Sequence, residues 1–308
     1  LARESFKLMA SGDSVLTSSF KFDAIGTSWE INTPAPLAAV TRAQILDLVE
    51  RFDSIYSRFR HDSIVTRIAK AADGGAFSFP ADAAAMFDLY DYLHDATDGA
   101  VDPLVGRALE LLGYDGDYAL MPDHEGIAAT VAHRPVWRRD VQREGTTITT
   151  RRPLVVDVGA VGKGRLVDLI SDLLTAEGFK DFVVDGSGDI CHRGDIALDI
   201  GLEHPLDPDL VIGVANLKDG SICASASNRR AWGDGLHHVL DGRTGRPTTE
   251  VIATWAIASD TATADGLATA LFFNASSRLM AVFDFSYLRM FADGRVEVSD
   301  NFDGEVFT

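Results

Sequence analysis

The chain has 308 residues, 46% apolar and 24% charged. That balance excludes disorder and fibrous repeats and leaves room for one large domain or two of roughly 150 residues. Lys and Arg number 28 against 46 Asp and Glu, a net charge of −18, so nothing in the composition attracts nucleic acid or an anionic membrane. A polyanionic ligand must instead be met locally, by main-chain N–H groups, a few cations or a metal ion.

Residues 1–13 lack the charged-then-apolar layout of a signal peptide. The compartment stays open between cytoplasm and export with a leader outside this sequence. Residues 1–18 are expected to form a flexible or extraneous N-terminal segment ahead of one domain over 19–308. A strand is expected over 20–25, followed by Gly26-Thr27 and an alternating stretch over 28–32. Thr41 with Gln44 reads as a capping box opening a helix in which Ile45, Leu46, Val49, Phe52 and Tyr56 recur at helical spacing. A second helix is expected from Asp82 through Ala85, Met86, Leu89 and Leu93, stopping at Asp98-Gly99. Strands over 146–150 and 154–158, a helix from Gly164 and a strand over 182–184 suggest a βαβ-like unit. Further strands are expected over 210–215, 221–226 and 238–240, then a helix over 262–273. A hairpin closes around Asp293-Gly294 between 288–291 and 296–298. No apolar run approaches the ~20 residues that span a bilayer. The pattern reads as one intertwined α+β domain.

Two cysteines, Cys191 and Cys223, are too few for a disulfide scaffold or, without histidine, a four-ligand zinc site; free buried thiols are expected. Chemistry concentrates elsewhere. In Asp157-Val-Gly-Ala-Val-Gly-Lys-Gly164, glycines at a helix mouth let the backbone approach a phosphate, with N–H groups and the helix dipole aimed at it. The alternative is a tight connection that merely needs glycine. It is no Walker A loop, because Gly164 follows Lys163 where Ser or Thr belongs. Gly186-Ser-Gly-Asp-Ile-Cys191 is a weak glycine turn. In His237-His-Val-Leu-Asp-Gly-Arg-Thr-Gly245 a histidine can be base, ligand or donor to phosphate, or the segment is a β-turn capped by Asp241. Asp265 and Thr269, at i and i+4, project oxygens from one helix face. They suit a hard divalent cation or a helix cap. Residues 98–106 can be a helix stop and Pro turn, and Arg229, Arg230 and Trp232 surface cations beside an aromatic.

Taken together and in this order, these pieces resemble the ApbE family, the FAD:protein FMN transferases. The resemblance runs from Phe22-Asp-Ala-Ile-Gly-Thr27 to Ala270, about four-fifths of the chain. It takes in Tyr56-Ser57 with Ser63, the segments 99–106, 157–164, 184–190, 224–230 and 238–247, and Asp265 to Thr269. It implies a two-lobed domain with mixed sheets and a central FAD cleft. It also implies FAD contacts at Ile25, Phe59, Ala100, Val101, Asp102, Asp157, Lys163 and Val239. Mg²⁺ would take the Ala160 carbonyl, the Asp265 carboxylate and the Thr269 hydroxyl. His238 would be the functional histidine, with Asp241 and Thr244 in the same catalytic motif. The sequence departs from the family pattern at Phe59, where some members carry Tyr, and at Ala224-Ser-Ala226, where Thr-Ser-Gly is usual. Ser187 replaces a glycine, and Ala268 stands where some relatives have a further Asp. The implied reaction is Mg²⁺-dependent transfer of FMN from FAD to a Ser or Thr hydroxyl of an acceptor protein, releasing AMP. The alternatives are a metal-dependent FAD pyrophosphatase and a non-catalytic flavin-binding protein.

Overall fold

An eight-stranded antiparallel sheet organises the computed structural model, which describes residues 6–9, 16–116, 118–130, 133–273 and 276–307. Its strand order is Val296–Val298, Ser286–Phe291, Val251–Ala258, Gly220–Ala226, Asp189–Arg193, Phe182–Asp185, Thr27–Thr33 and Ser18–Ala24. Both faces of its middle are covered. Phe182, Val184, Cys191, Cys223 and Ala256 join a core shared with the helices. Their neighbours Val183, Ile190, Ile222 and Trp255 join a second core with Ile200, Leu202 and Ala215. This is the period-two alternation of a strand, with apolar residues on both sides because both sides are buried.

The second core lies under a four-stranded sheet ordered Phe6–Met9, Leu198–His204, Asp207–Leu217 and Gly304–Val306. Residues 6–9 of the expected N-terminal segment thus pair antiparallel with the strand over Leu198–His204. On the other face lie the helices Ala39–Tyr56, Ala83–Ala96, Gly162–Ala176 and Thr261–Ala270. The helix Gly162–Ala176 buries Leu166, Val167, Ile170 and Leu174 completely, an apolar stripe at helical spacing. Its partner Thr261–Ala270 presents Ala264, Leu267 and Ala268 to the core. The N-terminus of that partner is closed from within: Asp260 accepts from the Thr263 N–H at 2.8 Å, and Asp168 from the Thr261 and Ala262 N–H groups at 2.8 and 2.9 Å.

Several expectations change. Where mixed sheets are expected, every described pairing is antiparallel. The βαβ-like unit does not form, because residues 154–158 pair with no strand. Leu154 and Val156 are buried there, and the Asp157 N–H goes to the Pro103 carbonyl at 2.7 Å, so burial rather than pairing produces the strand-like pattern. Thr41 is no N-cap: the first helix starts at Ala39, and Thr41 is buried inside its first turn. Of residues 238–240 only Leu240 is in a strand, the two-residue Leu240–Asp241; the strand before it, Leu236–His237, ends at His237. The helix expected over 262–273 runs Thr261–Ala270. Both cysteines are free and buried.

Candidate active site

The turn over 157–162 feeds the helix that carries Lys163, on the helix face of the large sheet. Asp157 accepts from Arg58 Nε at 2.6 Å and from the Gly159 N–H at 2.7 Å. Burial alone would raise its pKa, but the Arg58 guanidinium and that N–H hold it below the usual carboxylate range. The Gly162 N–H donates to the Val158 carbonyl at 2.7 Å and the Gly164 N–H to Asp265 Oδ2 at 3.0 Å. These turn donors, expected to face a phosphate, are therefore used within the chain, which leaves the Lys163 side chain as the turn's cation.

Lys163 Nζ stands 3.0 Å from Asp189 Oδ2 and donates to the Ser187 carbonyl at 3.2 Å. Burial would lower its pKa; Asp189 and Asp265 hold it raised. Strand register explains the placement of Asp189: it pairs with Cys223 and shares the helix-facing side of the sheet with Cys191, two residues on. Ser187, at φ 62°, and Gly188, at φ 101°, make the tight reversal that brings it there.

Asp265 is pushed well above the usual carboxylate range by burial and then by the charge of Asp189. Two buried carboxylates thus answer to one ammonium. Beside them the Tyr90 hydroxyl is fully buried with no hydrogen-bond partner among the described residues, against the main chain of Ala160 and Val161 and in the field of Asp157 and Asp265. Thr269 is half-buried one helical turn beyond Asp265. Excess negative charge and oxygen donors of three kinds, a main-chain carbonyl at Ala160, a carboxylate and a hydroxyl, fit a hard divalent cation. Among the described residues no group of three His, Cys, Asp or Glu side chains could hold one unaided, so phosphate and water oxygens would complete the shell.

A second wall comes from two turns packed together. The Gly242 N–H donates to the Ala100 carbonyl at 2.8 Å, and a Cβ on Gly242 would lie 2.6 Å from the Gly99 carbonyl oxygen. Ala100, Val101 and Asp102 are buried. The Asp102 carboxylate accepts from the Leu104 and Trp137 N–H groups at 2.8 and 3.0 Å, with His94 Nε2 at 3.4 Å, so it organises this turn from inside. Asp241 binds the Arg243 N–H at 2.9 Å and its guanidinium at 2.6 Å, while the Thr244 hydroxyl accepts from the Arg246 N–H at 3.2 Å; both hold the turn's shape. Val239 is buried, its N–H donating to His237 Nδ1 at 3.3 Å.

His238 follows on the same segment. Its Nδ1 is buried without a hydrogen-bond partner among the described residues. Burial, then the Arg230 guanidinium and the His237 ring, drive its pKa down to about 3, so it is neutral and able to accept a proton. Phe59, 37% exposed, offers an aromatic surface. The Arg58 guanidinium carbon stands 4.2 Å from its centroid, and Tyr118 stacks on it at 5.4 Å. A cavity of about 420 Å³ opens beside these residues, lined also by His61, Thr66, Lys70 and Val155.

Ile25 turns the first hairpin at φ 43° with Gly26 at φ 78°, a conformation costly for a β-branched residue. It connects to the site through Trp29, which donates to the Ala24 carbonyl at 3.2 Å and whose ring lies 3.0 Å from where a Cβ on Gly186 would stand. Lys163 and Asp265 thus share one polar centre with Asp189, Asp157 and Asp265 both act on the Tyr90 hydroxyl, and His238 lies in the field of Asp157. Arg58 and Asp189 escape a motif search because each acts through a partner distant in sequence, Asp157 and Lys163. The glycine turn before Asp189 was the one available signal.

The sequence profile of the ApbE family matches residues 25–290. The chain is 28% identical to the FAD:protein FMN transferase of Vibrio cholerae over 253 residues, 78% of this chain and 75% of that protein. It is 27% identical to the enzyme of that name from Rhodobacter capsulatus, covering 86% of this chain but 54% of that longer protein. Among solved structures, the flavin transferase ApbE from Vibrio cholerae superposes with a TM-score of 0.80 at 25% identity, over 92% of this chain and 97% of that one. The ApbE protein of Thermotoga maritima gives 0.81 at 25% identity with the same coverage. With its profile match over most of its length and its fold shared, the chain belongs to the ApbE family.

Proposed function

We propose that this chain, a flavin transferase by family and fold, catalyses the Mg²⁺-dependent transfer of FMN from FAD to a Ser or Thr hydroxyl of an acceptor protein, releasing AMP. The observation that carries the reading is the buried centre of Lys163, Asp189 and Asp265, one cation against two carboxylates, with a neutral His238 in the field of Asp157 at the head of the turn that leads to Lys163. A diphosphate cannot enter that centre until its negative charge is offset. The Ala160 carbonyl, Asp265 and Thr269 would hold a Mg²⁺, which when bound would supply that offset and polarise the phosphoryl group.

The remaining work falls to the chain. Lys163 binds diphosphate oxygens, held near them by Asp189 and the Ser187 carbonyl. Phe59, with the turn at Ile25 and the buried 100–102 turn, positions the ring system. His238 Nε2 takes the proton of the attacking hydroxyl. The hydroxyl oxygen bonds to the FMN-side phosphorus, and the bond from that phosphorus to the bridging oxygen breaks, its electron pair leaving with AMP. A pKa near 3 makes a weak base, but the diphosphate brings negative charge beside His238 and raises its proton affinity once FAD is bound. Positioning and charge neutralisation are what such a transfer chiefly requires.

Incubating the chain with FAD, Mg²⁺ and candidate acceptors, weighing the acceptors and quantifying AMP tests this reading. FMN-sized mass gain with equal AMP is expected. AMP without acceptor modification indicates the pyrophosphatase, and intact FAD after long incubation a carrier. FAD should also bind far better than FMN or NAD, since Lys163 and the cation site address its diphosphate; equal affinity for FMN refutes that assignment.

A further inference from the structure

The pair Arg229-Arg230 reads as surface cations in sequence, yet the fold separates their fates. Arg229 is neutralised by Glu203 at 2.5 Å. Arg230 has no acidic partner within ion-pair distance among the described residues. Its position follows from a short hairpin in which Ala231 pairs with His237 and Trp232 with Leu236. That register makes Arg230 and His238 the next pair, and the His238 N–H donates to the Arg230 carbonyl at 3.2 Å. Side chains of directly opposed residues leave the same face with Cβ atoms ~5 Å apart.

Tyr114 fixes the direction of the Arg230 side chain. Arg230 Nη1 donates to its hydroxyl at 2.8 Å, with the guanidinium carbon 5.9 Å from the ring centroid. The guanidinium of Arg58, the partner of Asp157, lies 5.0 Å from the same ring. One tyrosine thus holds two cations at the mouth of the polar centre. One is committed to Asp157; the other has exposed donors to spare.

We propose that Arg230 is a catalytic residue of the flavin transfer, its free guanidinium N–H groups binding FAD phosphoryl oxygens beside His238 as negative charge builds on them. This rests on the reaction proposed above. A fixed donor aimed at developing charge is worth ~10²–10³ in turnover. The same cation faces His238 together with His237 and Asp157, so its removal also eases protonation of that ring.

The test compares the parent chain with Arg230→Ala and Arg230→Lys, using FAD and Mg²⁺ with an acceptor. Single-turnover AMP release, flavin fluorescence for FAD affinity and the pH profile are measured. Arg230→Ala should lower turnover by ~10²–10³ with FAD affinity changed far less, Arg230→Lys should recover part, and the acid limb of the profile should move to higher pH in Arg230→Ala. A turnover of Arg230→Ala close to the parent's, or a loss confined to FAD affinity, overturns the proposal and leaves the proposed reaction standing. A parent chain that releases no AMP refutes the reaction itself, and the proposal with it.

Discussion

Gly164→Ala sets local propensity against tertiary packing at the centre of the site. Alanine is the better helix former by up to ~1 kcal/mol, so a helix considered alone gains stability. In the fold, a Cβ at position 164 would lie 2.3 Å from the Thr261 carbonyl oxygen, 2.7 Å from its carbon and 2.8 Å from the Asp265 Cβ. Ordinary contact starts at 3.4 Å, so the helix Thr261–Ala270 must retreat by about 1 Å. The obstacle is backbone and cannot rotate away. Overpacking of this kind costs ~1–3 kcal/mol, which after the propensity gain leaves a net loss of about 1 kcal/mol and, for a chain of 308 residues, a melting temperature roughly 2 °C lower. Activity should suffer more, because the displaced helix carries Asp265 and Thr269 while its neighbour carries Lys163; a 1 Å misplacement costs ~10²-fold. Thermal melts and the Mg²⁺ dependence of AMP release are the assays. Gly145→Ala is the control: at φ 58° with no atom within 4 Å, it should lose ~1–2 kcal/mol to the left-handed backbone and keep its turnover. A Gly164→Ala protein that melts higher than the parent with an unchanged Mg²⁺ requirement refutes the close approach of the two helices.

Asp265→Ala should raise the Mg²⁺ requirement more than Thr269→Ala, because a hard cation depends more on a carboxylate than on a hydroxyl; high Mg²⁺ should rescue Thr269→Ala better, and an unaltered Mg²⁺ requirement in a folded Asp265→Ala makes Asp265 a purely structural group. His238→Ala should reduce AMP release by ~10²–10⁴-fold while FAD still binds, and near-normal turnover removes His238 from the chemistry. The folded-state pKa of His238, about 3 against an ordinary 6.5, is depressed, so the unfolded chain takes up a proton that the native state refuses. Stability present above pH 6.5 is therefore lost as pH falls toward 3; His238→Gln should flatten the melting-temperature slope over that window, and parallel slopes count against a buried neutral ring. Burial would raise the pKa of Glu297, yet Arg289 at 2.9 Å, Ser276 at 2.7 Å and Tyr287 at 2.8 Å hold it near 2. Glu297→Gln should cost ~1–3 kcal/mol in urea unfolding at pH 7, and that difference should vanish as the pH falls through 4.5 to 2.

The amino-acid order by itself determined the local elements and the chemical vocabulary. Apolar spacing located the helices that bury Ile45 and Phe52, Met86 and Leu93, and Leu166 and Ile170, because a 3.6-residue period is a property of one segment. Glycine at 159, 162 and 164, the pair Asp265 and Thr269, and the run from His238 to Pro247 are each local in sequence, so their order in the chain carries the resemblance to the ApbE family. What the residues of that vocabulary do depended on partners far away in the chain. Leu154 and Val156 alternate as a strand would, but they are buried against helices, and no local rule distinguishes burial from pairing. Asp189 looked like one residue of a glycine turn until antiparallel register set it opposite Cys223 and under Lys163. Gly164 was readable as a phosphate-binding glycine; the fold uses its N–H for Asp265 and its missing side chain for the Thr261 carbonyl. Arg229 and Arg230 are alike as neighbours in sequence, and only the positions of Glu203 and Tyr114 give one a counter-ion and leave the other a free charge beside His238. Charge compensation and close backbone approach are set by distances between segments, and those distances exist only once the sheet and its helices have assembled.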